Sequence, residues 1–276
     1  MAANEFEQQA KRWRVAPGSR VHLDRIDTRS KAGAPGSKEV TTGVVEGLVA
    51  QLGEWQTRLW AEGSRSVLMV LQAMDAGGKD GTIRKVFTGV NPQGVRVASF
   101  KAPTPEELAH DFLWRIHKQA PAHGELGVFN RSHYEDVLIV RVDELVSKAV
   151  WKARYEQIRA FEETLAAAGT TVVKFFLHIS PDEQAERLQA RLDDPTKRWK
   201  FAAADLDVRK DWDAYQAAYE DAISETSTKG APWYVIPADR KWYRNWAILQ
   251  VLLATMTGLD PQFPPEEPGL EGLKVV

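Results

Sequence analysis

Residues 66–82 read Ser-Val-Leu-Met-Val-Leu-Gln-Ala-Met-Asp-Ala-Gly-Gly-Lys-Asp-Gly-Thr. An apolar run of strand length turns at two glycines into a lysine, the pattern by which a buried strand delivers a phosphate-binding loop to a helix N-terminus. The run departs from G-x-x-x-x-G-K-[ST] in two places: Ala73 replaces the first glycine, and Asp80 stands where a hydroxyl would hold magnesium. Backbone N–H groups of Gly77, Gly78 and Lys79 can still cradle an anion, and Lys79 adds a point charge for phosphate oxygens. With Asp80, Gly81 and Thr82 they make up the candidate phosphate-contacting loop. Two carboxylates, Asp75 and Asp80, flank the cradle. A bare carboxylate beside phosphates is repulsive, so at least one is expected to work through bound Mg²⁺, which takes oxygen ligands from carboxylates and phosphates together. The plainer alternative is a glycine turn between strand and helix. Phosphoryl transfer is the expectation.

Outward from this loop the chain alternates apolar runs with amphipathic stretches. Val67–Leu71, Val95–Phe100, Leu126–Phe129, Val172–Ile179 and Trp233–Ile236 are the strand candidates. Their alternation with helical patterns predicts an α/β fold with a mostly parallel sheet and helices on both faces. Val45, Leu48, Leu52, Trp55, Leu59 and Trp60 fall at helical spacing between residues 44 and 62. Thr104-Pro105-Glu106-Glu107 and Ser180-Pro181-Asp182-Glu183 repeat one helix-start device: a hydroxyl N-cap, proline at the first position and a Glu for a capping box. In the helix after Thr104, Leu108, Phe112, Leu113 and Ile116 are the expected apolar face, with His110 solvated. Leu206, Trp212, Tyr215, Tyr219 and Ile223 continue a later helix, and residues 242–256 supply a last one.

A chain of 276 residues suits one such domain with elaborations. Residues 1–46 mix charge with Gly, Pro, Ser and Thr and read as an irregular N-terminal arm; 47–262 form the catalytic domain and 263–276 a tail. Zero cysteines exclude disulfides and thiolate chemistry, and six histidines without ligand spacing argue against zinc. With 36 Lys+Arg against 38 Asp+Glu the net charge is −2, so no global basic field points to nucleic acid and a polyanion must meet a local patch. The longest apolar stretches are too short to span a bilayer and no signal-peptide core opens the chain, which makes the cytoplasm the expected compartment and excludes a membrane partner.

Phe129-Asn130-Arg131-Ser132-His133-Tyr134-Glu135 follows the third strand candidate. Ligands of doubly wound sheets sit at the carboxyl ends of strands, so this segment is expected to face the crevice of the phosphate loop. Arg131 then offers a rigid fork of donors to a transferred phosphoryl group, or else pairs with a carboxylate in a turn. Glu135 and Asn130 can complete a magnesium shell with Asp75; a solvated Glu at a helix start is the alternative. Residues 191–200, Arg-Leu-Asp-Asp-Pro-Thr-Lys-Arg-Trp-Lys, gather basic side chains around Trp199 and read as a lid, or as a charged loop whose tryptophan tucks into the core.

These segments resemble the polyphosphate kinases of family 2. The resemblance rests on Met74 to Ile83, Gly89-Val90-Asn91-Pro92-Gln93-Gly94, Ser99 to Pro103, Phe112 to Arg115, Phe129 to Glu135, Asp194-Pro195 with Lys197, Trp199-Lys200-Phe201, Ala231 to Tyr234, and Pro237 to Asp239. It covers most of residues 50–245. It implies a P-loop kinase-like three-layer α/β/α fold with a helical lid at about 191–210, magnesium dependence with Mn²⁺ as a substitute, and a basic channel for inorganic polyphosphate. Carried over, Asp75 looks like the carboxylate serving the metal or the acceptor, Lys79 the phosphate-binding lysine and Arg131 the second-motif arginine. Arg191, Lys197, Arg198 and Lys200 fall on the lid, and Asp75 with Glu135 is the candidate metal pair. Asn130 stands where one branch has Asp; with Tyr134 and Glu135 it looks more like the branch accepting both AMP and ADP. The expected activity is phosphoryl transfer between polyphosphate and adenine nucleotides, with guanine nucleotides as further acceptors and a homo-oligomer as the assembly. The competing expectations are an ATP-dependent nucleotide or nucleoside kinase of the same fold and a non-catalytic phosphate-binding module.

Overall fold

The computed structural model describes residues 2–202, 204–270 and 273–275. Its frame is a five-stranded parallel sheet, β1 (Ser66–Gln72), β2 (Val95–Ser99), β3 (Leu126–Asn130), β4 (Thr170–His178) and β5 (Trp233–Pro237), in the order β2-β3-β1-β4-β5. Each expected strand is present, with bounds shifted by a residue or two. Every residue of β1 is buried, which a strand covered on both faces requires. Eleven helices are described: α1 (Ala2–Ala10), α2 (Lys38–Glu62), α3 (Lys79–Val86), α4 (Pro105–Leu108), α5 (Trp114–His117), α6 (Ile139–Val142), α7 (Lys148–Ala167), α8 (Pro181–Asp193), α9 (Ala204–Lys210), α10 (Trp212–Thr226) and α11 (Lys241–Leu259). One layer packs α11 against α1, α2 and α3, and the other packs α7 against α10 and β4. The chain runs outward from β1 to β2, returns to β3 beside β1, and crosses to β4 on its other flank. That reversal at β1 opens a crevice at its carboxyl end.

The segment 1–46 is less irregular than its composition predicts. It contains α1 and the first turns of α2, which starts at Ser37, whose hydroxyl accepts the Val40 N–H, and ends at Gly63 in the left-handed region. Between these helices Trp13 is buried, edge-on to Tyr243 and Trp246 of α11. Met1 lies outside the described residues, as do Ala203 of the lid segment and residues 271, 272 and 276 of the tail.

Both helix-start devices work, in different ways. Thr104 and Glu107 form a reciprocal capping box. At α8 the Ser180 hydroxyl accepts the Glu183 N–H, but the Glu183 carboxylate turns to Arg187 and the Ser180 N–H is met by Asp239 Oδ1. The long helix expected after Thr104 stops after one turn. Asp111 Oδ1 accepts the Leu113 N–H, a local bond that competes with the helix, and the chain resumes as α5. Leu108 is therefore 69% exposed instead of core, and exposed His110 stacks on Trp114. The later helix is likewise broken at Asp211 into α9 and α10. Among the described residues no helix is long and apolar enough to cross a membrane.

Candidate active site

The loop Ala73–Gly78 leaves β1 and enters α3 with two residues in the left-handed region, Ala76 (φ 60°) and Gly78 (φ 98°). A Cβ on Gly77 would lie 2.4 Å from Ala73 Cβ and 2.8 Å from Met74 O, so only glycine fits the turn. The Gly77 N–H, expected in the anion cradle, donates instead to Met74 O. The donors left over are those of Gly78 and of the first turn of α3, at Lys79, Asp80 and Gly81. Thr82 is not at the cleft: it is fully buried, with its hydroxyl donating to Gly78 O at 3.1 Å. Lys79 reaches back to Ala73 O at 3.0 Å, and burial, helped by the nearby Arg131 guanidinium, lowers its pKa to about 8.

β3 lies beside β1 with Asn130 opposite Leu71, which sets the second segment next to the loop. Arg131 turns at φ 61°, its N–H donating to Leu71 O, and its guanidinium reaches Asp75 Oδ1 at 2.8 Å and Glu135 Oε2 at 3.8 Å. A non-glycine residue at this φ carries strain of order 1–3 kcal/mol, which packing around it must hold. The side chains two and three positions on supply that packing. His133 and Tyr134 are fully buried and both meet Glu162 Oε1, at 3.3 and 2.8 Å. Lys174 of β4, also fully buried, donates to Glu162 Oε2 (2.5 Å), Tyr134 Oη (2.9 Å) and Thr226 O (2.8 Å), so all three ammonium protons are placed. Burial raises the Glu162 carboxyl, but Lys174 and His133 outweigh it and keep the group ionised; burial lowers His133, which stays neutral.

Asp80 is the hub of the rim. Its Oδ1 accepts from Asn130 Nδ2 at 2.9 Å and its Oδ2 pairs with Lys200 at 3.1 Å. Burial works to raise this carboxyl, yet the two hydrogen bonds hold it below the usual range. Residues 191–200 are held by their own contacts: Asp194 binds Thr196 and Lys197, and the Arg198 guanidinium donates to Leu192 O. Arg191, Lys197 and Lys200 line the cleft, whereas Arg198 does not. Trp199 lines it too and is 76% exposed, so it does not tuck into the core. The cleft encloses about 940 Å³ and is also lined by Lys101, Glu183, Arg187 and Lys241. Arg187 spans the loop and the sheet end, donating to Ala76 O (3.1 Å) and Ala238 O (2.7 Å). Arg187 and Lys241 escape a sequence reading because helical arginines and lysines normally face water, and Glu162 of α7 escapes it because helical carboxylates do too. Lys174, alone within an apolar strand, was the readable signal.

The sequence of residues 36–264, which carries both the loop and Arg131, matches the family polyphosphate kinase 2. The chain belongs to the polyphosphate kinase 2 family. It is 56% identical over 265 residues to an AMP/ADP-polyphosphate phosphotransferase of Meiothermus ruber, covering 96% of this chain and 99% of that one. An ADP-polyphosphate phosphotransferase of Rhodopseudomonas palustris is 46% identical over 272 residues, 94% of both chains. The crystal structure of polyphosphate kinase 2 from Arthrobacter aurescens superposes with a TM-score of 0.90 at 46% identity, over 94% of this chain and 92% of that one. The fold is thus the P-loop kinase-like α/β fold of this polyphosphate kinase family.

Proposed function

We propose that the protein transfers phosphoryl groups between inorganic polyphosphate and adenine nucleotides, with AMP and ADP both accepted. The observation that carries this reading is the run of cations along one open cleft: Lys79, Arg131, Arg187, Arg191, Lys197, Lys200 and Lys241. A phosphate chain offers no base or ribose to grip, so its recognition is electrostatic and extended. The full-length similarity to a relative named for both acceptors supports the dual specificity.

The nucleotide phosphate oxygen attacks the terminal phosphorus of the chain in line; the new P–O bond forms as the bridging P–O bond breaks, and the shortened chain leaves as an anion. The attacking oxygen is already ionised, so no strong base is required and catalysis reduces to positioning and charge neutralisation. Lys79 binds the reacting phosphoryl oxygens from the loop, and Arg131 offers its fork from the facing strand. Asp75 and Glu135 fix the Arg131 plane from two sides.

These two carboxylates also fit a divalent cation. They flank one guanidinium, and Asp75 Oδ2 and Glu135 Oε1 have no protein donor among the described residues, leaving hard oxygen ligands for Mg²⁺, or Mn²⁺, whose shell phosphate oxygens and water complete. When bound there, the ion supplies charge neutralisation for the phosphate chain. Residues 47–262 act as the catalytic domain, with residues 191–210 as lid, in a cytoplasmic homo-oligomer that engages neither nucleic acid nor membrane. The test is to give purified protein polyphosphate and Mg²⁺ with AMP, ADP, GMP or GDP and no ATP. ADP appearing from AMP, followed by ATP, supports the reading; no product from any acceptor rejects it.

A further inference from the structure

Arg244, at the end of the first turn of α11, is 2% exposed, yet among the described residues it has no carboxylate partner. Its Nε and Nη2 share one acceptor, the Oδ1 of neighbouring Asn245, at 3.2 and 2.9 Å. Buried guanidinium groups are normally paired, because a desolvated charge without a counter-charge is costly. Burial, with Arg187 nearby, depresses its pKa to about 9. The position explains the exception. A Cβ built on Gly78 would lie 2.1 Å from Arg244 Nη1 and 3.4 Å from Arg187 Nη1, so both guanidiniums converge on the glycine that opens α3. Gly81 is next to the same group, 3.8 Å from Nη2 by the same measure.

We propose that Arg244 is a fixed positive charge set against the back of the phosphate loop, and that an oligophosphate held in the loop is its counter-charge. The inference rests on the reading that the loop binds a phosphate chain. Arg244 does not line the cleft, so it acts across the Gly78 backbone as a positioning residue and not by touching the substrate. Two consequences follow from the low dielectric there. A charge already oriented needs no reorganisation when the anion arrives, and its attraction is little screened by salt. The same burial makes the empty loop less stable than it would be with an apolar side chain, and binding relieves that penalty. Gly78 is accordingly required twice: for its left-handed φ, and for the absent side chain that lets the guanidinium approach.

Calorimetric titration with tripolyphosphate and, separately, with ATP tests this on wild type, Arg244→Met and Arg244→Lys. Arg244→Met should melt no lower than wild type without ligand, while its affinity for tripolyphosphate falls at least about 10-fold, a loss that one unit charge at close range in a partly desolvated site supports. Arg244→Lys should bind within about threefold of wild type when all three proteins are titrated at about pH 6, where a buried ammonium holds its proton better than at neutral pH. A purely structural arginine would give the opposite pattern, a lower melting temperature with affinity intact. Wild-type affinity in Arg244→Met overturns the proposal, as does equal loss in Arg244→Lys, which would make shape and not charge decisive. Should Arg244→Met fail to fold, Arg244→Gln takes its place under the same criteria. If wild type binds ATP but no tripolyphosphate, the polyphosphate reading fails while the ranking on ATP decides for Arg244; if it binds neither, both fall.

Discussion

Asn130 Nδ2 donates to Asp80 Oδ1 across 2.9 Å, tying the end of β3 to the first turn of α3, while the other oxygen of Asp80 holds Lys200 of the segment after α8. One carboxylate therefore joins three elements of the cleft. In Asn130→Asp two carboxylates would face each other at this distance, where like charges cannot both stay ionised without a cation between them. Turnover should fall at low Mg²⁺ and recover in part as Mg²⁺ is raised. Asn130→Ser loses the bond without adding charge and should show no such recovery. Initial rates with AMP and with ADP over a Mg²⁺ series check both, and show whether the acceptor ratio depends on this residue.

Lys79→Ala and Arg131→Ala should each lower turnover by at least about 10²-fold, the scale of losing ~3 kcal/mol of preorganised electrostatic stabilisation. Melting temperatures should stay close to wild type for Lys79→Ala, whose side chain makes one hydrogen bond, to Ala73 O. Near-normal turnover in a folded Lys79→Ala protein would remove the loop from the mechanism.

The lowered pKa of Lys79 gives a pH profile. In the proposed function the ammonium binds phosphate; it is present below about 8 in the free protein and lost as pH rises through that value. The kcat/KM for polyphosphate, which reports free-enzyme groups, should be flat below about pH 8 and decline above it. Bound phosphates favour the ammonium, so kcat should hold to higher pH. Lys79→Arg should abolish the decline in kcat/KM.

In the segment proposed as a lid, Lys197 and Lys200 line the cleft and Arg198 does not. Neutralising Lys197 and Lys200 together should raise the KM for long polyphosphate and flatten its salt dependence, leaving the nucleotide KM less affected. Arg198→Gln should change neither. Stability should move by no more than about 0.5 kcal/mol in the double variant, as surface substitutions do. KM values for both substrates at two ionic strengths decide between lid and loop.

The Lys174–Glu162 pair separates charge from packing. Lys174→Met alone strands a buried carboxylate and should cost about 3–5 kcal/mol, whereas Lys174→Met with Glu162→Leu removes both charges and should recover most of that. Denaturant unfolding of the single and double variants measures it.

The sheet was legible because each strand is a short apolar run closed by turn residues, and β1 with its loop is the clearest. Arg131 and Asp75 were legible as a pair of motifs, since β3 beside β1 brings any two such segments together. What the pattern hid depends on three-dimensional neighbours. Thr82 reads as a phosphate ligand, but the α3 backbone claims its hydroxyl. The apolar spacing after Thr104 reads as one helix, but Asp111 breaks it. Arg187 and Arg244 look like ordinary helical cations, and only the fold reveals that both end beside Gly78.

Residues 13–15 run antiparallel along the outer edge of β5: Val15 N–H donates to Trp233 O at 2.8 Å and Val235 N–H to Trp13 O at 2.9 Å. They lie upstream of the stretch that defines the family, which begins at residue 36. A chain trimmed to that stretch would keep every residue of the cleft and still expose a raw sheet border, with the aromatic socket of Trp13 emptied beside it, the arrangement on which strands of separate molecules join into aggregates. The span matched to the family and the span that keeps its own sheet border covered are therefore different lines on this chain.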